Sequence, residues 1–350
     1  MVNNIKSFKQ LSIMKNIAII PIVLLSLYSC KDNKSKSSEV LEDVVTEVKT
    51  TPKTYAEISV AQGGTWGDGP NGHQEYKGGT SFKNVEELQV PEQHTDHTWY
   101  IRYEGPGWEN SQVGYRLYLD WRNAIDIFGK KVDSLVLPYV GQNGFGSYHE
   151  DAPWGQDILK AGKSMGLGGY GRVVADTMVH FQKVQDTKAN ITNTDTNSSI
   201  DIAYTGWESG EDTIDLKSKL TIYPEDRYTK AELTPSKAIE GLCTGIVDHN
   251  VAFHKKEGEI WAYIATYGIQ TLTEPADKLG MALFYKLDEV TEQKKGDYEH
   301  LVIFKPTTET VTYYFLAAWE QELNGIKTEA DFLKDIDTKL EALNATNSIK

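Results

Sequence analysis

Between Val113 and Asn123 the side chains alternate with a period of two. Tyr115, Leu117, Leu119 and Trp121 fall on one face, and Arg116, Tyr118, Asp120 and Arg122 fall on the other. Only an extended strand turns successive side chains to opposite sides, so this segment cannot be an amphipathic helix. Similar short segments, separated by turns rich in Gly, Asn and Asp, are read at 98–103, 113–121, 134–140, 171–180, 199–207, 218–223, 260–267, 280–285, 299–304 and 310–318. The chain holds 19 tyrosines and 8 tryptophans, residue types that fit pleated, half-buried surfaces. The expectation is an all-β fold, a large antiparallel β-sandwich of supersandwich-like size. Two segments break the pattern. Residues 150–164 read as a short helix. Residues 329–343 read as a second one, with Phe332, Leu333, Ile336, Leu340 and Leu343 at helical spacing and Thr328 with Asp331 as an N-terminal cap. No repeat of 20–50 residues is visible, which argues against a propeller or solenoid.

The beginning of the chain reads as an address. Lys15 precedes an apolar run, 17–27, that is shorter than the roughly 20 residues a spanning helix needs, and Leu27-Tyr-Ser-Cys30 resembles a lipobox. Residues 1–29 are therefore read as a lipoprotein signal peptide and Cys30 as the lipidation site. Residues 30–53, rich in Lys, Ser, Glu, Asp and Thr, are a flexible tether. The protein is expected on the cell envelope, lipid-anchored to the outer membrane on its periplasmic or surface face. Residues 54–350 form the folded domain. The other cysteine, Cys243, reads as a small buried hydrophobe.

Charge narrows the function. The formal charge is -14, and removing Lys6, Lys9 and Lys15 with the leader takes it to -14 - 3 = -17. Such a surface disfavours nucleic acid, which needs basic stripes. It also makes any cluster of arginines informative, because an anionic ligand is otherwise repelled.

Three short motifs fail on context. Gly166-Leu-Gly-Gly-Tyr-Gly171 fits a dinucleotide fingerprint, but 172–176 reads as a strand where a helix should open. Gly162-Lys-Ser164 lacks the first glycine of a phosphate loop, since Asp157 stands there. Gly162-Lys-Ser-Met-Gly166 fits a serine-hydrolase elbow, which requires an α/β sheet.

Chemistry concentrates in 94–169. If 98–104 is a strand, Tyr100, Arg102 and Glu104 share a polar face, which the Gly105-Pro-Gly-Trp108-Glu109 turn sets beside Arg116, Tyr118, Asp120 and Arg122. That face is either a solvated exterior or a groove, and three arginines in so acidic a chain favour a groove. Guanidinium groups pair bidentately with carboxylate or sulfate, as recognition of acidic sugars requires. Arg102, Arg116 and Arg122 are the candidate anion contacts, with Asp120, Glu104, Trp108 and Lys160 as further substrate-binding candidates. A glycine-rich turn then delivers Tyr148 and His149 side by side. They suit an acid and a base, with Tyr118 as the alternative acid. His149 and Glu150 could also bind a metal with His94 or His97, but their spacing matches no established zinc pattern, and no cofactor is indicated.

At these residues the chain resembles a known family. The segments are Arg102-Tyr-Glu-Gly-Pro-Gly-Trp108-Glu109, Val113-Gly-Tyr-Arg-Leu-Tyr-Leu-Asp120-Trp-Arg-Asn123, Asp126-Ile-Phe-Gly-Lys130, Ser147-Tyr-His-Glu150, Trp154-Gly-Gln-Asp-Ile-Leu-Lys160 and the late Ala317-Ala-Trp-Glu320. They resemble a family labelled as a domain of unknown function, found in polysaccharide-utilisation clusters of marine and gut bacteria, over nearly all of 54–343. One kind of member is an ulvan oligosaccharide dehydratase. The resemblance implies a hydro-lyase that removes water from a non-reducing-end glucuronic or iduronic acid next to a sulfated rhamnose, leaving a 4,5-unsaturated uronate. It transfers no catalytic residues. Other readings are a polysaccharide lyase, in which a sugar rather than a hydroxyl leaves, a non-catalytic glycan-binding lipoprotein, and a sugar mutarotase.

Overall fold

The structure, a computed structural model, describes residues 53–349. The leader, Cys30 and nearly all of the tether lie outside the described residues. Three large sheets, all antiparallel, dominate what is described. A nine-stranded sheet runs in the order Ala252–Glu257, Trp261–Ile269, Lys278–Lys286, Val311–Trp319, Tyr228–Pro235, Asp212–Ile222, Ser198–Ser209, Asp186–Asn193 and Glu87–Gln89. A five-stranded sheet, here called the site sheet, comprises Thr54–Glu57, Gly107–Asn110, Val113–Leu117, Ile125–Lys130 and Gly155–Asp157. The other five-stranded sheet comprises Thr177–Val179, Leu167–Val174, Leu242–Val247, Glu299–Phe304 and Val290–Lys295. A parallel bridge between Ile125 and Gly166 joins the two five-stranded sheets into one layer.

This layer packs on the nine-stranded sheet to make the all-β sandwich expected from the alternation. Tyr115 and Leu117 of the site sheet and Ile264, Leu283 and Phe315 of the long sheet belong to one buried cluster. Polar tips inside it are satisfied: Trp108 Nε1 donates to Thr229 Oγ1 at 2.9 Å, and Tyr115 OH donates to the Arg227 carbonyl at 2.7 Å. Buried tyrosine and tryptophan need such partners. On the far face of the long sheet lies the C-terminal helix, Glu329–Thr346, burying Phe332, Ile336, Leu340 and Leu343. Thr328 caps it as the sequence predicts, accepting from the Asp331 amide. Gly280 permits the close approach, since a Cβ there would stand 2.5 Å from the Phe332 ring. Among the described residues no helix is long and apolar enough to cross a membrane.

Three local expectations are corrected. Residues 98–103 are not a strand: they make a single bridge, Ile101 to Val60, and run into the 3₁₀ turn Arg102–Glu104, because Trp99, Tyr103 and Glu104 all have positive φ. Residues 134–140 form turns instead of a strand, with the Val140 amide bonded back to Val136. Residues 150–164 contain no helix. They hold the short strand Gly155–Asp157, which pairs with Ile125–Lys130 and places its residues in the site sheet. The strand Leu167–Val174 starts inside the glycine-rich motif and runs past its end, so no helix opens there to hold a dinucleotide.

Candidate functional site

The site grows from the outer face of the site sheet. Where an ordinary sandwich would leave this face to solvent, the excursion between Lys130 and Gly155 folds back over it. Val136, Leu137, Val140 and Tyr148 pack there on Tyr103 and Phe128. A buried ion pair pins the excursion. Lys130 Nζ donates to Glu109 Oε2 at 2.7 Å, while Glu109 Oε1 accepts from the amides of Val136 and Leu137, both at 2.7 Å. The excursion ends in the 3₁₀ turn Phe145–Tyr148, entered through Gly144 at φ 126, and this turn presents Tyr148 and His149.

Beneath the turn lies Arg116, only 1% exposed. Its guanidinium donates to Asp157 Oδ2 at 2.5 Å, Asp126 Oδ2 at 2.8 Å, Tyr148 OH at 3.0 Å and Tyr118 OH at 3.1 Å. Tyr118 OH in turn donates to Asp126. One cation thus organises two carboxylates and two phenols. Burial, then the neighbouring Asp157 charge, pushes the Asp126 carboxyl up against the pull of Arg116. Burial likewise raises the Tyr118 and Tyr148 hydroxyls, with Arg116 opposing it in both. His149 completes the arrangement. Its Nδ1 lies 3.1 Å from Asp157 Oδ2, its side chain is 35% exposed, and its ring centre lies 4.5 Å from that of Tyr148.

A second network adjoins this one. Arg122 is held by Asp120, with Nε to Oδ1 at 3.0 Å, and by Glu104, with Nη2 to Oε1 at 2.7 Å, while its guanidinium lies 4.0 Å from the centre of the Tyr118 ring. Burial raises the Asp120 carboxyl despite Arg122. In Glu104 burial is outweighed by Arg122 and Arg116, and the carboxyl titrates below its usual range. These attractions account for the strained loop, since the positive φ of Glu104 aims its side chain at both arginines. Arg102 pairs with Glu57, which also accepts from Tyr103 OH at 2.5 Å. Arg102 Nε and Nη1 have no hydrogen-bond partner, although the residue is 1% exposed. Arg102, Tyr103, Glu104, Trp99 and Tyr148 line a cavity of about 410 Å³.

The structure therefore gathers Tyr118, Tyr148, His149, Arg116, Arg122, Asp120 and Glu104 into adjoining networks and sets Arg102 on the same cavity as Tyr148. It also corrects the open groove. Arg116 is engaged by carboxylates and phenols inside the protein, and Arg122 is bracketed by Asp120 and Glu104. Trp108 is fully buried in the sandwich core, on the opposite face of the sheet from Arg116. Lys160 is exposed, and its contact is through its carbonyl, which accepts from His249 Nε2. His94 bonds Thr98 Oγ1 at 2.7 Å, burial pushing the imidazole down to about 4, and His97 faces Asp96 and Glu104. Among the described residues no group of three or more His, Cys, Asp or Glu is placed to hold a metal ion.

Sequence reasoning missed Asp126 and Asp157. Asp126 was accessible to it, because Ile125 and Ile127 alternate with Asp126 and Phe128. Asp157 was hidden by the helical reading of its segment. Cys243 is buried beside Met165, Leu301 and Ile303, and burial raises its thiol.

Fold and site together define a class: an antiparallel β-sandwich in which a buried arginine, shared by two aspartates and two tyrosines, backs a partly exposed histidine. The chain belongs to the family described as "Domain of unknown function (DUF4861)", whose model matches residues 23–348. No curated protein matches it. A solved structure named "Putative kojibiose phosphorylase from human microbiome" is similar over 66% of this chain, with a TM-score of 0.42 and 13% identity. The match covers 32% of that protein, so this chain spans about a third of its length.

Proposed function

We propose that the protein is a carbon–oxygen lyase of the dehydratase kind, acting on the non-reducing-end uronic acid of ulvan-type sulfated oligosaccharides. The observation that supports it most is the contact of His149 with Asp157 beside Tyr148. Elimination needs a base for the C5 proton, an acid for the departing 4-hydroxyl, and compensation for charge developing next to the carboxylate. With Nδ1 donating to Asp157, His149 takes the C5 proton at Nε2. The pair of electrons from the C5–H bond forms the C4–C5 double bond, and the C4–O bond breaks. Tyr148, polarised by Arg116, protonates the leaving oxygen, so that water departs and an unsaturated uronate remains. Tyr118 is the alternative donor, two hydrogen bonds from Tyr148 through Arg116. Arg102, which lines the cavity and is held by Glu57, is the cation assigned to the substrate carboxylate. Arg116 and Arg122 act on charge from behind.

Replacing His149 by Ala and Tyr148 by Phe tests the assignment. Each should lower turnover by about 10²- to 10⁴-fold, the usual share of one acid or base, in protein that keeps its melting temperature. Full activity in both would remove these roles. We further propose that Cys30 carries lipid and holds the enzyme at the cell envelope. Cys30→Ser should then move the protein from the membrane fraction to the soluble fraction.

A further inference from the structure

A separate cavity of about 260 Å³ opens on the other five-stranded sheet. It lies between the hairpin of Leu167–Val174 and Thr177–Val179 and the hairpin of Val290–Lys295 and Glu299–Phe304. Trp121, Lys163, His180, Lys294, Tyr298 and Glu299 meet in its lining. Glu299 is 2% exposed, yet its Oε2 has no hydrogen-bond partner. An unsatisfied buried polar group is costly, so native proteins retain few of them without a reason. Burial, then the nearby Asp297, pushes this carboxyl up to about 7. At neutral pH it can therefore accept or donate a hydrogen bond.

The rest of the lining narrows the ligand. Tyr298 is 46% exposed, and the Lys163 ammonium stands 5.6 Å from the centre of its ring. Lys294 is paired with Asp176 at 2.6 Å. Two lysines disfavour a metal cation. Flat aromatic surfaces, a buried carboxyl and a cation at the rim suit a hydroxyl-bearing ring with an anionic substituent. The cavity falls just under the roughly 300–1,000 Å³ of drug-sized sites, which fits one sugar unit. It is also tied to the site already described: Trp121 stands between Asp120 and Arg122, and His180 Nδ1 lies 3.0 Å from the Arg122 carbonyl oxygen.

We propose that this cavity is a second saccharide site, which takes one sugar unit of an acidic oligosaccharide with its hydroxyls on Glu299, its ring against Tyr298 and Trp121, and its carboxylate or sulfate facing Lys163. The inference rests on the reading of the substrate as an acidic oligosaccharide, but it places this unit outside the reacting site.

Calorimetry with a sulfated, glucuronate-terminated tetrasaccharide tests it, using protein that carries His149→Ala. Tyr298→Ala and Lys163→Ala, both at exposed positions, should each weaken binding by about tenfold, and Glu299→Gln provides a conservative check at the buried carboxyl. Unchanged affinity in all three variants would overturn the second site. Turnover by the unmutated protein, measured alongside, separates the two ideas. Turnover with unchanged binding in the variants removes the second site alone. No turnover, with binding that depends on Tyr298 and Lys163, removes the lyase reading and keeps the site.

Discussion

The Nδ1 atom of His149 and the Arg116 guanidinium meet the same oxygen, Oδ2 of Asp157, at 3.1 Å and 2.5 Å. A single carboxylate thus orients the proposed base and is itself fixed by the buried cation. Asp157→Asn keeps the shape but can present an amide N–H where an acceptor is needed. It should lower kcat by about 10²-fold or more with little change in KM. The double variant with His149→Ala should be no slower than His149→Ala alone. Additive losses in steady-state kinetics would show that Asp157 does not act through His149.

Arg116 is the structural keystone as well. Replacing it by Met leaves Asp126 and Asp157 buried together without their cation, and breaking a buried pair in this way costs about 3–5 kcal/mol. The Asp126 carboxyl, already raised by burial and by the Asp157 charge, loses the opposing pull of Arg116 and rises further above its unfolded value. The native state then binds more protons than the unfolded one, and the penalty shrinks as pH falls. Denaturant unfolding should show a larger deficit for Arg116→Met at pH 8 than at pH 5. An equal deficit at both would contradict the carboxylate account.

Glu299 offers a pH test in the unaltered fold. Its carboxyl rises from 4.5 to about 7, so its ionisation opposes folding. The stability is intact below 4.5, falls as pH rises toward 7, and is lowest above that, by up to about 3 kcal/mol at 1.36 kcal/mol per unit. The charges around its cavity are Asp297, Asp176, Lys163, Lys294 and the neighbouring His180. Glu299→Gln should be more stable than the parent at pH 8 and not at pH 4. Parallel stability curves across this range would be the contrary result.

Trp108 separates core from site. Its indole is fully buried and bonded to Thr229, so Trp108→Ala should destabilise by about 3–5 kcal/mol. In the milder Trp108→Phe, the folded enzyme should keep its KM. A raised KM with an unchanged melting temperature would return Trp108 to the substrate-binding face.

The sheet residues were the most legible part of the chain. Alternation in 113–121 placed Tyr115 and Leu117 in the core and Arg116 and Tyr118 on the opposite face, and the hydrophobic spacing after Thr328 located the terminal helix. Sequence could not show that the polar face is roofed by the 131–154 excursion, because the anchor is a long-range contact, Glu109 to the amides of Val136 and Leu137. That roof converts an arginine expected to line an open groove into a buried one. Local pattern also failed at 98–104, where pairing of Glu104 with Arg122 and Arg116 overrides the preference for an extended backbone. Asp157 escaped because a polar stretch without clear period was read as a helix, whereas pairing with Ile125–Lys130 makes it an edge strand.

Mass spectrometry of a defined, glucuronate-terminated sulfated oligosaccharide incubated with the protein tests the central claim most directly. The account predicts a product lighter by one water, with the ultraviolet absorbance of a 4,5-unsaturated uronate and an unshortened chain, formed at a rate that collapses in His149→Ala. Shorter chains with the same absorbance, or unchanged mass in the presence of measurable binding, would contradict it.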